Sequence, residues 1–178
     1  MRQEVELSLF KFGIDHEDLL FLHRVDSHFS LAEQMTELKR MQDEGKIRHL
    51  GLSQVTVKQI QEAEKYAKID AVENLYNLAN RRDEDVLEYT AAHGIAFVPW
   101  FPLNTGRLAQ AGGILDKIAK KYQAAPAQIA LAWLLKRSPN ILPIPGTKSI
   151  KHLTENVAAA QIKLSDEDFK KLSDASQF

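Results

Sequence analysis

Five short segments rich in apolar residues recur along the chain and predict β-strands. Each is too short for a helix and is bounded by polar or turn-forming residues, as expected of strands buried on both faces of a parallel sheet. They cover residues 19–22, 47–53, 69–76, 95–101 and 141–144. The segments between them repeat apolar residues every three or four positions, which predicts helices. This alternation predicts a parallel α/β fold with right-handed crossovers, either doubly wound or closed into a barrel.

Residues that begin and end helices flank the segments between the strands. Ser30 with Glu33, and Thr56 with Gln59, form capping-box patterns, and Pro126 fits a first helical position. The predicted helices lie at 2–12, from 30 to about 45, after 56, at 82–93, at 114–122, from 126, at 150–160 and after 165. Since no linker or low-complexity segment separates them, we expect one domain. It would consist of a leading helix over 1–13, five strand-helix units over 17–149 and terminal helices over 150–178.

Composition narrows the class of function. The 178 residues are 44% hydrophobic and 26% charged, which is ordinary for a soluble globular protein. The net charge of −1 provides no basic surface for nucleic acid, and no apolar run approaches the length of a membrane span. Because cysteine is absent, disulfides and thiolate zinc sites are excluded, and a reducing cytoplasm fits. We therefore expect a cytoplasmic protein with a small-molecule partner, and neither a nucleic-acid nor a membrane partner.

Polar residues gather where each predicted strand ends. This is the arrangement of a (β/α)8 TIM barrel, whose sites are built at the C-terminal ends of the strands. Five units cannot close an eight-stranded barrel, so we expect a partial barrel of five parallel strands with surrounding helices. Its open edges would lie at Leu19–Leu22 and Ile141–Ile144. Open apolar edges favour pairing, so we expect self-association through them, domain swapping or a complementing chain.

Five motifs follow one another in the chain: DLLFLHRVD at 18–26, GKIRHLGLS at 45–53, VENLYN at 72–77, PWFPL at 99–103, and IPGTKS at 144–149 followed by Glu155-Asn156. In these motifs and their order the chain resembles the aldo/keto reductase family over all 178 residues. The resemblance begins in the helix before that family's fourth strand. Family members transfer hydride from NADPH to a carbonyl. The resemblance thus implies a small aldehyde or ketone substrate and NADP(H) as cofactor, with NAD(H) not excluded.

The resemblance implies one catalytic residue, His23. The family uses a Tyr acid, an Asp and a Lys that tune it, and a His beside the carbonyl; of these four, only His23 has a match. Tyr66, Tyr89 and Tyr122 fall in predicted helices, and Tyr76 is not at the acid position. Carbonyl reduction needs a proton donor near the developing alkoxide, so the chain on its own is expected to be inactive. His23 would orient the carbonyl or stabilise the oxyanion. A histidine that is hydrogen-bonded to Asp26 or to the backbone is the structural alternative.

The resemblance also implies a nicotinamide site at three strand ends. Ser53 and Asn74 match residues that bind the carboxamide, and Trp100 matches the aromatic on which the ring stacks. Asn74 as a turn former and Trp100 as core filler are the alternatives. Gln54 stands where the family usually has Asn, and because its extra methylene could shift that contact it is left out of the predicted site.

The pyrophosphate and adenosine of the cofactor would lie on later segments. Pro102 and Leu103 begin the loop under which the family's pyrophosphate passes, and Gly106 and Arg107 belong to the same loop. The residues matched to the adenosine end are Gly146, Thr147, Lys148, Ser149, His152, Glu155 and Asn156.

Each part of the adenosine end has its own expected role. The loop from Gly146 precedes a helix whose free N–H groups attract a phosphate, although Thr147 and Ser149 could equally be plain caps. Lys148 and His152 would screen the 2′-phosphate that distinguishes NADPH. The family often has Arg at the latter position, so the preference for NADP stays open. The next two matched residues would hold the adenine.

Three functions fit these residues. The chain could belong to an NADPH-dependent carbonyl reductase that needs Asp, Tyr and Lys from elsewhere. It could also be a non-catalytic NADP(H)-binding module, or an idle truncated fragment. A metal site is not expected, because His23 and His28 lack a third ligand at a recognised spacing.

Overall fold

Helices and strands alternate through the computed structural model, which describes residues 1–104 and 112–175. The strands are β1 (Glu17–Leu22), β2 (Ile47–Ser53), β3 (Ala71–Glu73) and β4 (Ala96–Phe97). The helices are α1 (Arg2–Phe12), α2 (Leu31–Asp43), α3 (Val57–Ala63), α4 (Glu84–His93), α5 (Ile114–Lys121), α6 (Pro126–Arg137), α7 (Ile150–Ala158) and α8 (Asp166–Ala175), with a 3-10 turn at Ala159–Gln161. The order of elements is the one that the apolar pattern predicts.

The four strands pair in parallel and in chain order, β1-β2-β3-β4. Leu22 of β1 lies beside Leu52 of β2, and Ser53 lies beside Glu73 of β3. The C-terminal ends of the strands therefore meet at one edge of the sheet. Within the described residues β1 has no partner strand on its other side.

The predicted fifth strand joins this sheet through a single bridge. Ile141 pairs in parallel with Phe97, and Leu142 N donates to Phe97 O at 2.8 Å. Phe97 N donates to Asn140 O, and the next donor on that side of β4 would be residue 99, which is a proline without an N–H, so the ladder stops here. The five predicted strands are thus four regular strands and one bridged segment.

The third and fourth strands are shorter than the apolar pattern predicts. After Glu73 the pairing is reduced to an isolated bridge between Leu75 and Trp100, with Trp100 N donating to Asn74 O at 3.1 Å. The chain therefore leaves regular strand geometry where the polar residues begin.

Both capping boxes predicted from the sequence are present. The hydroxyl of Ser30 accepts from Glu33 N at 3.2 Å, and that of Thr56 accepts from Gln59 N at 3.3 Å. In each box the side chain of the third residue bonds back to the cap, so the starts of α2 and α3 are satisfied. These fixed starts set where the β1 and β2 loops turn into helices.

The core lies between the sheet and the helices and is most densely aromatic beneath the ends of β3 and β4. The rings of Tyr76 and Trp133 stack with centroids 6.1 Å apart, and Phe97 meets Tyr76 edge-on at 5.7 Å. All three are fully buried. This cluster fixes α6 against the strand ends that carry the polar residues.

Apolar side chains remain exposed at the two ends of the strand series. On α7, Ile150, Leu153 and Val157 are 84%, 53% and 69% exposed, and on α1, Phe10 and Phe12 are exposed as well. In residues 1–104 and 112–175, no helix is both long and apolar enough to cross a membrane.

Candidate functional site

The ends of β1 and β2 are joined by an arginine. Arg24 Nη1 donates to Ser53 Oγ at 2.9 Å and also to the carbonyl of its neighbour, His23. Ser53 is almost fully buried, whereas His23 is exposed. The two predicted site residues therefore lie at the same edge of the sheet, one on each side of a guanidinium group.

The alternative partner for His23 is engaged elsewhere. Asp26 Oδ1 accepts from the backbone N of His28 at 2.9 Å and from its Nδ1 at 2.8 Å, and these bonds lower the pKa of Asp26. His23 also lines a cavity of about 530 Å³ between β1, α1 and α2. No cluster of three potential metal ligands occurs in the described part of the chain.

Asn74, after β3, is completely buried and already bonded through its amide. Its Oδ1 accepts from Val55 N at 3.0 Å, and its Nδ2 donates to Val55 O at 2.8 Å and to Asp83 Oδ2 at 2.9 Å. These bonds hold the turn after β2. Both N–H groups of the amide are used, and only Oδ1 keeps a further acceptor site.

Gln54, which sequence reasoning left out, lies at the centre of the strand ends. Its Oε1 accepts from Trp100 Nε1 at 3.0 Å and from Leu75 N at 3.3 Å, while its Nε2 donates to Asp83 Oδ2 at 3.1 Å. The extra methylene that argued against Gln54 gives a longer reach, and this is the signal that could have pointed to the contact. Gln54 thus joins the ends of β2, β3 and β4.

Trp100 is half-buried at the end of β4, unlike the fully buried Trp133. Gln54 fixes its indole, and Asn74 fixes its backbone. The next residue, Phe101, has a left-handed backbone with φ of 58° and is held by Asn77 Nδ2 at 3.1 Å from its carbonyl. A tryptophan in this position presents a fixed aromatic surface beside Ser53 and Gln54 rather than filling the core.

A groove of about 210 Å³ collects residues from the later motifs. Its lining includes Leu103, Gly146, Thr147, His152, Glu155 and Asn156, together with the residues at 125–127 that begin α6. Pro102 is buried just before this lining, and Lys148 is exposed beside it. Gly106 and Arg107, from the same predicted loop as Leu103, lie outside the described residues.

The groove contains a polar atom without a partner. Asn156 Nδ2 is buried and makes no hydrogen bond with the described residues. A buried donor of this kind is destabilising unless a ligand supplies an acceptor. An adenine ring carries acceptor nitrogens that suit this donor. The residues present therefore fit the adenosine end of a dinucleotide.

Residues of the loop before α7 cap the start of this helix and bond to each other. Ser149 accepts from His152 N at 3.4 Å, and Ser149 N donates to Thr147 Oγ1 at 3.1 Å. Gln128 Nε2 ties α6 to this helix by donating to Glu155 O at 3.0 Å. The groove is therefore walled by two helices whose relative position is set by side-chain bonds.

Comparison with known proteins decides the family. The model of the aldo/keto reductase family matches residues 1–177. The chain belongs to the aldo/keto reductase family. An uncharacterized oxidoreductase of Schizosaccharomyces pombe is 51% identical over 174 residues, covering 98% of this chain and 57% of the relative. Pyridoxine 4-dehydrogenase of Escherichia coli is 42% identical over 183 residues, covering 99% of this chain and 64% of the relative.

The fold agrees with this family. The crystal structure of an aldo-keto reductase from Klebsiella pneumoniae in complex with NADPH matches with a TM-score of 0.89 and 30% identity, covering 99% of this chain and 64% of that one. The parallel α/β fold is therefore part of the reductase barrel. The chain spans less than two thirds of the length of each of these three relatives.

The four tyrosine hydroxyls of this chain are bonded to carboxylates. Tyr76 is buried and donates to Glu84 at 2.7 Å, and burial together with that bond raises its pKa. Tyr66, Tyr89 and Tyr122 bond to Glu62, Glu64 and Asp168. The phenol groups of the chain thus lie in structural contacts rather than beside His23.

Proposed function

We propose that this chain forms the cofactor-binding side of an NADP(H)-dependent aldo/keto reductase. The observation that carries the proposal is the groove at the start of α7, which is lined by six residues matched from the family motifs, among them Asn156 with its buried, unpaired Nδ2. The relative from Klebsiella pneumoniae, solved with NADPH, supports this assignment. Bound NADPH would supply the hydride for a small aldehyde or ketone.

The nicotinamide end would lie on the strand ends. The indole of Trp100, fixed by Gln54, offers a surface on which an aromatic ring can stack. Ser53 Oγ accepts from Arg24, which leaves its own O–H free to donate to a carboxamide oxygen. We propose Ser53 and Gln54 as the polar contacts of the carboxamide. Asn74 would hold the adjacent turn through its bonds to Val55.

The adenosine end would lie between α6 and α7. Asn156 would donate to the adenine, and Glu155 lies beside it in the same groove. Lys148 is exposed next to the positive end of the α7 dipole, so a 2′-phosphate would meet a cation and free N–H groups together. This arrangement favours NADP over NAD, with His152 as a further contact from the same groove.

His23 would face the substrate carbonyl. As an exposed imidazole at a strand end, it can donate a hydrogen bond that orients the carbonyl oxygen. The proton for the alkoxide would come from the family's Tyr, tuned by its Asp and Lys, on strand-helix units other than those described. We therefore propose that these 178 residues alone do not turn over substrate.

Further strand-helix units would also cover the exposed apolar faces. These faces are Ile150, Leu153 and Val157 on α7 and Phe10 and Phe12 on α1. The units could belong to a longer polypeptide or to another chain, and without them self-association is the expected outcome. A cytoplasmic location, expected from the lack of cysteine, is part of the same proposal.

A titration and an activity assay test this function. NADPH should bind and quench the fluorescence of Trp100, and NADH should bind more weakly. Oxidation of NADPH by simple aldehydes should be absent with the chain alone and present when the missing units are added. Millimolar or weaker binding of both nucleotides would overturn the proposal and favour an idle fragment.

A non-catalytic NADP(H)-binding module is the second candidate. It is favoured by the engagement of all four tyrosine hydroxyls with carboxylates, since none is free to act as an acid. Tight NADPH binding with no turnover, even after the missing units are added, would select this function over the first.

A further inference from the structure

Asp83 precedes α4 but does not cap it. Aspartate at a helix N-cap usually accepts from the backbone of the first turn, and the side chain of Asp83 makes no such bond. Its Oδ2 instead accepts from Gln54 Nε2 at 3.1 Å and from Asn74 Nδ2 at 2.9 Å. The side chain is only 13% exposed, and its Oδ1 accepts from Arg82 Nε at 3.2 Å. The carboxylate therefore serves the strand ends rather than its own helix.

A carboxylate at this position decides which way the two amides point. An ionised carboxylate only accepts hydrogen bonds, so Gln54 and Asn74 must both turn their NH2 groups toward Asp83. The carbonyl oxygens then face the other way. That of Gln54 accepts from Trp100 Nε1, and that of Asn74 accepts from Val55 N. If Gln54 were reversed, the indole N–H would face another donor.

The backbone of Gln54 supports the same interpretation. Its φ of 54° lies in the left-handed region, which non-glycine residues seldom adopt. Such conformations persist where surrounding contacts hold them, and they concentrate at functional sites. Here the contacts are those with Asp83, Leu75 and Trp100. Gln54 is thus held from both its backbone and its side chain.

We propose that Asp83 is a positioning residue of the cofactor wall, which acts through Gln54 to hold the indole of Trp100 in place. Asp83 contacts the two amides and Arg82 and would not touch the cofactor itself. That this positioning helps the nicotinamide ring to stack on Trp100 rests on the proposed function. The chain of contacts from Asp83 to Trp100 can be tested without any nucleotide.

The test follows the two indole N–H signals by ¹H–¹⁵N NMR, with Trp100 assigned from Trp100→Phe. In Asp83→Ala the Trp100 signal should shift and its proton should exchange with water about fivefold faster, as expected for loss of one hydrogen bond. The signal of Trp133, bonded to Ser173 in the core, should stay in place.

Two further variants separate positioning from a general effect on stability. Asp83→Asn keeps an oxygen that can accept from both amides, so its Trp100 signal should lie where it does in the unaltered protein. Asp85→Ala removes a neighbouring exposed acid from the first turn of α4 and should move neither indole signal. An unchanged Trp100 signal in Asp83→Ala, or an equal change at Trp133, would overturn the proposal.

A substitution at Gln54 tests the route of the effect. Gln54→Met keeps the chain length and removes all three side-chain hydrogen bonds, so it should reproduce the Trp100 shift with Asp83 present. Adding Asp83→Ala to it should produce no further shift at Trp100, because the two residues act in series. If Gln54→Met leaves the Trp100 signal unchanged, the proposed route is wrong even where Asp83→Ala is too unstable to study.

NADPH affinity then links the positioning to function. Asp83→Ala should raise the Kd for NADPH about fivefold, whereas Asp83→Asn and Asp85→Ala should leave it unchanged. If the unaltered protein does not bind NADPH, the proposed function fails while the NMR result still decides the role of Asp83. If NADPH binds and Asp83→Ala alters the indole signal without altering affinity, then the positioning of Trp100 by Asp83 does not contribute to NADPH binding.

Discussion

The indole Nε1 of Trp100 donates a 3.0 Å hydrogen bond to Oε1 of Gln54 and so joins the end of β4 to the residue that follows β2. The same glutamine reaches β3 through Leu75 N. Three parallel strand ends are thereby tied into one surface, to which Arg24 adds the end of β1 through Ser53. A flat ligand lying across this edge would meet an aromatic ring and polar side chains whose positions are already fixed, which lowers the entropy lost on binding.

Gly51→Ala should destabilise the protein. A Cβ at this position would lie 2.5 Å from the ring of Phe21, its partner in the β1–β2 register, so the ring must move. We expect a loss of roughly 1–3 kcal/mol in the free energy of unfolding, measured by urea denaturation. Gly146→Ala, whose Cβ would meet nothing within 4 Å, is the matched control. Equal stability of the two variants would show that Phe21 does not pack on Gly51.

Asn156→Leu should separate stability from binding. Leucine has a similar shape and removes a buried donor that has no partner among the described residues, so the free energy of unfolding should stay the same or rise by about 1 kcal/mol. NADPH affinity should fall roughly five- to tenfold because the donor to the adenine is lost. Melting temperature and titration measure the two effects, with Gln161→Leu at an exposed position as control. A clear loss of stability with unchanged affinity would show that Asn156 is structural.

Asp168 should make the stability depend on pH in the acid range. The ammonium group of Lys121, with Tyr122 and Ser165, lowers the pKa of this buried carboxyl to about 2. Because the folded pKa lies below the unfolded value of about 3.9, the stabilisation is complete above pH 4 and is lost as the pH falls toward 2. We expect roughly 1–2 kcal/mol from this group.

Urea denaturation at pH 6 and pH 3 checks the contribution of Asp168. Asp168→Asn should reduce the difference in stability between the two pH values. Asp166→Asn should change it little, because that side chain is 99% exposed and its pairing with Lys136 is screened by water. An unaltered pH dependence in Asp168→Asn would contradict the assigned pKa.

Charged residues on α7 should reduce self-association. Ile150 and Leu153 are exposed on one face of this helix, and water-exposed apolar patches favour association. Ile150→Lys combined with Leu153→Lys should lower the average mass measured by light scattering across a concentration series. Lys151→Glu, which changes charge without changing apolar area, should have no such effect. A monomeric unaltered chain would contradict the expected association.

The order of elements could be predicted because burial repeats along the chain with fixed periods. Ser30 and Thr56 cap the helices that their patterns predict, and the strand ends carry polar residues as expected. The length of the last strand could not be predicted from hydrophobicity alone. Ile141 pairs with Phe97, but Pro99 has no N–H to continue the ladder toward Leu142.

The candidate site was harder to predict at the level of single side chains. The motifs named Trp100 and the groove residues but left out Gln54, whose amide bonds to the indole. They also did not show that the amide of Asn74 is bonded to Val55 and Asp83. The direction in which the amides of Gln54 and Asn74 point follows from their bonds to the carboxylate of Asp83, nine positions beyond Asn74. The left-handed backbone of Gln54 also contributes. Contacts of this kind depend on three-dimensional geometry that neither periodicity nor a motif encodes.

The central claim is that one dinucleotide spans both the strand ends and the groove at α7. Titration of ¹⁵N-labelled protein with NADPH tests it most directly, through the indole signal of Trp100 and the side-chain amide signal of Asn156. The account predicts that both signals move and saturate together at the same nucleotide concentration, on the order of micromolar. Movement of only one signal, saturation at different concentrations, or no movement at millimolar NADPH would contradict it.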